Sequence, residues 1–155
     1  MSETLSRDLL DRSATELVAA LAARQVSAAE LADQAIARIE ARDGPINAVV
    51  VRDFDRARIA ARAADAALAR GERGALLGLP MTVKDCFETE GIVTACGDPA
   101  LASYVPDRDA LAVVRLKAAG AIVFGKTNTP MQTLDGQTYN AVYGTTNNPW
   151  DLTRT

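Results

Sequence analysis

Few side chains in this sequence can do chemistry by themselves, and the chain contains no histidine. The first candidate is Lys84, at the end of the apolar run Leu79-Pro80-Met81-Thr82-Val83-Lys84-Asp85. If the run is a strand, Thr82, Lys84 and Cys86 share one face and Met81, Val83 and Asp85 the other. A lysine closing a β-branched run and followed by Asp85-Cys86-Phe87 is expected to be at least partly buried. Two readings of such a residue are open. One is a buried lysine of perturbed pKa. The plainer one, which spacing alone favours, is a stem packed on the sheet with its ammonium reaching water or a carboxylate.

The remaining candidates weigh less. Lys126 follows a second apolar run and is read as a structural lysine satisfying loop carbonyls rather than a second catalytic cation. Asp85 could tune Lys84, but neighbours on a strand point opposite ways, so a turn or helix-cap role is preferred. Cys86 shares the Lys84 face and is read as a buried small hydrophobe. Cys86 and Cys96 have nine residues between them, and without histidine neither zinc spacing nor a Cys-His nucleophile is available.

These residues must be held by a scaffold, and 155 residues with 48% hydrophobic and 24% charged side chains suffice for one domain with a real core. The formal charge of -3, with no basic run, argues against direct binding of nucleic acid or an anionic membrane. The N-terminus lacks the pattern of a leader, and no stretch reaches the roughly 20 apolar residues of a membrane span, so a reduced cytoplasmic protein is expected.

Ser13-Ala14-Thr15-Glu16 and Ser27-Ala28-Ala29-Glu30 are capping boxes opening two amphipathic helices. The first buries Leu17, Ala20 and Leu21. The second buries Leu31, Ala35, Ile36 and Ile39, with Val26 stapled onto Leu31, and stops at Asp43-Gly44-Pro45. After the extended piece Ile46–Val51, a third helix is predicted from near Asp53 to Arg70, ending at Gly71. Its inward side is assigned to Ile59, Ala60, Ala63, Ala67 and Leu68, and its outward side to arginines interleaved with Asp55 and Asp65. Asp107 is expected to begin a fourth helix carrying Leu111, Val114, Leu116 and Ala118 and stopping at Gly120. Ala121–Gly125 then reads as a buried strand. Helix, glycine loop and buried strand together indicate an α/β sheet covered on both faces. From Lys126 onward the patterning fades into the loops where sites tend to be assembled.

Three blocks now carry a resemblance: Gly78-Leu79-Pro80-Met81-Thr82-Val83-Lys84-Asp85; Leu116–Ala121 leading into Gly125-Lys126-Thr127-Asn128-Thr129-Pro130; and Tyr143-Gly144-Thr145-Thr146-Asn147-Asn148-Pro149-Trp150-Asp151. In this order and spacing they resemble the N-terminal portion of the amidase signature family. The resemblance implies an α/β fold in which N-terminal helices precede the first strands of a large mixed sheet, left incomplete here. Residues 1–155 would be part of a single amidase domain, helical over 1–74 and carrying the lysine strand and loops over 75–155.

It further implies hydrolysis of amide C-N bonds by a nucleophilic serine, a bridging serine on a cis peptide and a lysine, with Lys84 matching the lysine and with no cofactor or metal. Both serines would lie beyond Thr155, so the chain by itself is expected to be inactive. A lysine of pKa about 10.4 is neutral at pH 7 only about once in 2,500, a cost of about 4.6 kcal/mol for use as a base. Burial can lower that pKa by about 3–5 units, and a neutral lysine can then deprotonate the bridging serine. Met131, Gln132, Leu134 and Asp135 match a stretch that in relatives borders the acyl pocket, although a surface loop is an equal reading. Asp98 replaces a frequent serine. Thr129-Pro130-Met131-Gln132 differs from the Met-Asp-Glu-Phe type found in the amidotransferase subunit that releases ammonia from glutamine, so a general amidase is preferred. A non-enzymatic scaffold is the reading from another class. The expected partners are a small-molecule amide and either a second copy or the remainder of an amidase chain.

Overall fold

The computed structural model describes residues 9–155. Its helices begin where the local chemistry demands. Ser13 caps α1 (Ala14–Ala22) by accepting the Glu16 amide at 3.3 Å, while the Glu16 carboxylate takes the Ser13 amide at 2.7 Å. Ser27 and Glu30 do the same for α2 (Ala28–Arg42) at 3.0 and 2.9 Å. Leu17, Ala20, Leu21, Leu31 and Ile36 are buried, and Val26, Ala35 and Ile39 pack half-buried against the same core. Asp43 ends α2 and starts β1 (Val49–Arg52): its carboxylate accepts the Ala48 and Val49 amides and pairs with Arg52 at 3.1 Å.

Helix α3 (Phe54–Ala69) ends as expected at Gly71, whose φ of +88° suits glycine. Its inward face is Ala57, Ala61, Ala64, Ala67 and Leu68. That corrects the expected stripe at three positions, since Ala60 and Ala63 are exposed and Ile59 is 60% exposed. Alanines occur on several sides of this helix, so the sequence offers competing stripes of similar hydrophobicity. The one that lets α3 approach α2 and the sheet closely is chosen. Asp65 is also not simply part of a solvated charged face: it accepts the Ala28 and Ala29 amides at 2.6 and 3.1 Å and completes the cap of α2.

The main sheet has the order β1-β3-β2, with β2 (Pro80–Lys84) parallel and β1 antiparallel to the central β3 (Ile122–Thr127). It is therefore a mixed sheet. Ile122 and Phe124 join the core made by α1, α2 and α3, while Val83 and Val123 pack with Val113 of α4 (Leu111–Ala118) in a second core. Helix α4 starts four residues later than expected. Asp109 is occupied elsewhere, accepting the Glu90 amide and the Lys117 ammonium, each at 2.8 Å. Of the apolar residues assigned to α4, Leu111 and Val114 face solvent and Leu116 is half-buried against the second core. Gly120 ends the helix at φ +95°, where an added Cβ would lie 2.6 Å from Leu77 Cα.

Beyond β3 the chain is tied down by asparagines rather than by long strands. Asn47 Nδ2 donates to Tyr143 O at 2.7 Å, Asn128 Nδ2 to Gly144 O at 3.1 Å and Asn140 Nδ2 to Thr129 O at 2.8 Å. These bonds hold the short pair β4 (Tyr139–Asn140) and β5 (Gly144–Thr145). No helix among the described residues is long and apolar enough to cross a membrane.

Candidate active site

Lys84 is the last residue of β2, the edge strand of the main sheet, and its side chain is exposed. This corrects the expectation that the end of this apolar run buries it. No strand covers the outer edge of β2 among the described residues, and Lys84 borders an open groove of about 230 Å³. Apart from Lys84, that groove is lined by Met81, Thr82, Val83, Phe87, Ala112, Val113 and Leu116. Period two also stops here. Asp85 and Cys86 lie in the turn after β2, so their side chains do not continue the strand's alternation.

The buried lysine of this region is Lys126, one register step away on β3, where it stands opposite Val83. Lys126 and Asp85 are both 0% exposed and form an ion pair at 3.3 Å. The Lys126 ammonium also donates to Phe87 O at 2.9 Å and to Thr94 Oγ1 at 2.7 Å. It therefore does satisfy a loop carbonyl, but it does so as half of a buried charge pair. Asp85 Oδ2 accepts the Ala95 amide at 3.2 Å. Its backbone amide donates to Thr127 O at 2.9 Å, and its carbonyl accepts from Cys96 N at 3.3 Å. Asp85 thus fills a turn role.

Burial sets the electrostatics of the pair. It pushes the Asp85 carboxyl up and the Lys126 ammonium down, and in each case the partner's charge opposes the shift without cancelling it. Burial, then the charge of Asp85, pushes the Tyr143 phenol up to about 12. Burial, then Cys86 and Asp85, pushes the Cys96 thiol up, away from the thiolate a nucleophile requires. Cys86 is a half-buried free thiol rather than a fully buried one.

Met131, Leu134 and Asp135 do come together, lining a mostly apolar cavity of about 490 Å³ with Pro130, Tyr139, Asn140 and Ala141. Gln132 does not join them. It turns away to donate to Asp98 Oδ2 at 2.7 Å, and its backbone amide donates to Cys96 O at 2.8 Å. Gln132 and Thr133 have φ of +50° and +61°, a conformation that costs a β-branched threonine of order 1–3 kcal/mol. The amide of Ala100, then the Gln132 side chain, hold the Asp98 carboxyl below the usual carboxylate range. No residue lines both this cavity and the Lys84 groove. Tyr139 and Asn140 were not identified from sequence, because they form the two-residue strand β4, which pairing with β5 and the Asn140 bond to Thr129 O tie down rather than any local pattern. Among the described residues no cluster of acidic or sulfur side chains could hold a metal.

Comparison with known proteins finds relatives of this chain. Residues 30–155 match the protein family described as Amidase. The chain is 45% identical over 148 residues to a subunit of the glutamyl-tRNA(Gln) amidotransferase of Acidothermus cellulolyticus, covering 95% of this chain and 29% of that protein. It is 46% identical over 146 residues to the protein of the same name from Aromatoleum aromaticum, covering 94% and 30%. The chain therefore spans about 30% of the length of these curated relatives. Among solved structures, a bacterial aryl acylamidase of the amidase signature enzymes superposes with a TM-score of 0.85 at 31% identity, over 91% of this chain and 30% of that one. Fatty acid amide hydrolase superposes with a TM-score of 0.88 at 24% identity, over 93% and 26%, a likeness that concerns the fold.

Proposed function

This chain belongs to the amidase family, and from that premise we propose that the intact protein hydrolyses carboxylic amides with Lys84 as the base-side member of a Ser-cisSer-Lys triad. The observation that carries the reading is the placement of Lys84. It ends β2 facing an open groove, while the turn that follows it is bonded to β3 and to the 92–96 loop. A base must reach a proton on a group supplied from elsewhere, and a strand end with a fixed backbone and a free side chain meets that need. The two serines come from polypeptide outside these 155 residues. In the reaction, neutral Lys84 takes a proton from the bridging serine, which takes one from the nucleophile. The cavity bordered by Met131, Leu134 and Asp135 then receives the acyl side of a small amide substrate; Gln132 acts on it indirectly by fixing the loop through Asp98.

The test is turnover of simple aliphatic and aromatic amides by the intact protein and by Lys84→Ala. A loss of about 100-fold or more is expected; full turnover in the variant sinks the assignment. A second reading is favoured by the two curated relatives above, each one component of an amidotransferase: glutamine as the amide, with protein partners receiving the ammonia. Glutamine hydrolysis that depends on added partner proteins, with no turnover of simple amides, would select it.

A further inference from the structure

We propose that Lys126 is a positioning residue for Lys84: by neutralising Asp85 and clamping the turn after β2, it presents Lys84 to the reaction centre free of an adjacent carboxylate's field. The inference rests on the reading of Lys84 as the base. Its grounds are geometric. Asp85 follows Lys84 directly, is 0% exposed and faces Lys126 at 3.3 Å. The same ammonium holds Phe87 O and Thr94 Oγ1, so one buried cation grips both the turn after Lys84 and the loop packed over it. Phe87 N in turn donates to Lys84 O at 3.0 Å. Together with the bonds of the Asp85 backbone to Thr127 and Cys96, these links fix the direction in which Lys84 leaves the sheet.

Charge is the second half of the argument. A base must lose its proton readily, and an unneutralised carboxylate one residue away opposes that loss. The titratable groups around this corner are Asp85 and Cys86 in the turn, Cys96 and Asp98 in the following loop, Lys126 on β3 and Tyr143 between β4 and β5. Helix α4 contributes only Ala112, Val113 and Leu116 to the Lys84 groove. Among these groups Lys126 is the cation paired with Asp85.

The experiment follows the side-chain resonances of Lys84 against pH in the 155-residue chain, which has only three lysines and so gives a simple spectrum. Lys126→Gln keeps hydrogen-bond donors for Phe87 O and Thr94 Oγ1 but removes the charge. It is expected to raise the Lys84 midpoint by about half to one pH unit, the screened effect of one nearby charge. Asp85→Asn/Lys126→Gln is expected to return it to within about 0.2 unit of wild type, the two charges having gone together. An unmoved midpoint in Lys126→Gln overturns the inference, as does a midpoint that stays raised in the double variant. If only the double variant folds, its Lys84 decides: a wild-type midpoint supports neutrality as the requirement, and a shifted one refutes it. Turnover of Lys84→Ala by the intact protein tests the underlying reading separately. Full activity there removes the base role and leaves the titration result standing.

Discussion

Lys84 and Lys126 stand at the ends of neighbouring parallel strands, one register step apart, and meet opposite surroundings. β2 is an edge, so its last side chain leaves the sheet into open space. β3 lies between two partners, and its lysine points into a pocket closed by the turn after β2 and the loop 92–96. The sheet thus gives its two terminal lysines opposite environments, one open and one closed. Holding the loops requires burial and a carboxylate, whereas reacting with an incoming group requires access. Burial here singles out Lys126, the lysine that clamps the turn after β2, and leaves Lys84 open to an incoming group.

The largest expected effect follows from that division. Lys126→Met removes one partner of a fully buried pair and strands the Asp85 charge, which costs about 3–5 kcal/mol of stability. Asp85→Leu/Lys126→Met removes both charges and is expected to recover most of that loss, because the directions of both pKa shifts show desolvation outweighing the mutual attraction. Urea unfolding of wild type, the single variants and the double variant reads the non-additivity. Additive losses would mean that the two groups do not act as a pair.

Asp65 supplies an intermediate case, a carboxylate near the surface whose partners are two backbone amides. Asp65→Ala leaves the Ala28 and Ala29 amides without their acceptor and is expected to cost about 1–3 kcal/mol. The same denaturation measurement checks it, and a loss equal to that of Lys126→Met would erase the distinction between paired and capping charges.

What the sequence made legible was local. The two Ser-x-x-Glu caps, the stops at Gly71 and Gly120 and the buried strand after Gly120 each depend on residues a few positions apart, and each stands in the fold. The inward face of α3 was not legible because alanines at Ala60 and Ala63 look the same as those at Ala61 and Ala64 until packing chooses. The exposure of Lys84 depends on whether β2 is an edge strand, and the role of Lys126 on bonds to residues 32 and 39 positions away. Neither leaves a mark in a short window. The resemblance carried by the three sequence blocks named the family. It did not distinguish which lysine would be buried.

Tyr143 gives a smaller, pH-dependent effect at the same corner. Its hydroxyl is buried and makes no hydrogen bond among the described residues, and burial, then Asp85, raises it to about 12. A folded pKa above the unfolded value of about 10 means that the contribution is whole below about pH 10 and drains as pH rises through about 12. Wild type is therefore expected to lose stability across that window and Tyr143→Phe to lose less, with little difference at pH 7. Unfolding midpoints measured at both pH values check this. An identical alkaline decline in the two proteins would remove the Asp85 field from the account.

The smallest stability effect belongs to Lys84 itself. Its ammonium is exposed, and its backbone is bonded through atoms that alanine also possesses. Lys84→Ala is therefore expected to change stability by no more than about 0.5 kcal/mol, as exposed substitutions do. Yet the same substitution is expected to remove most of the turnover of the intact protein. A large loss of stability in Lys84→Ala would show that its stem packs the groove with Met81, Val83 and Leu116, and would return Lys84 to a structural role. Near-zero change in stability beside a lost reaction is the outcome that separates it from Lys126.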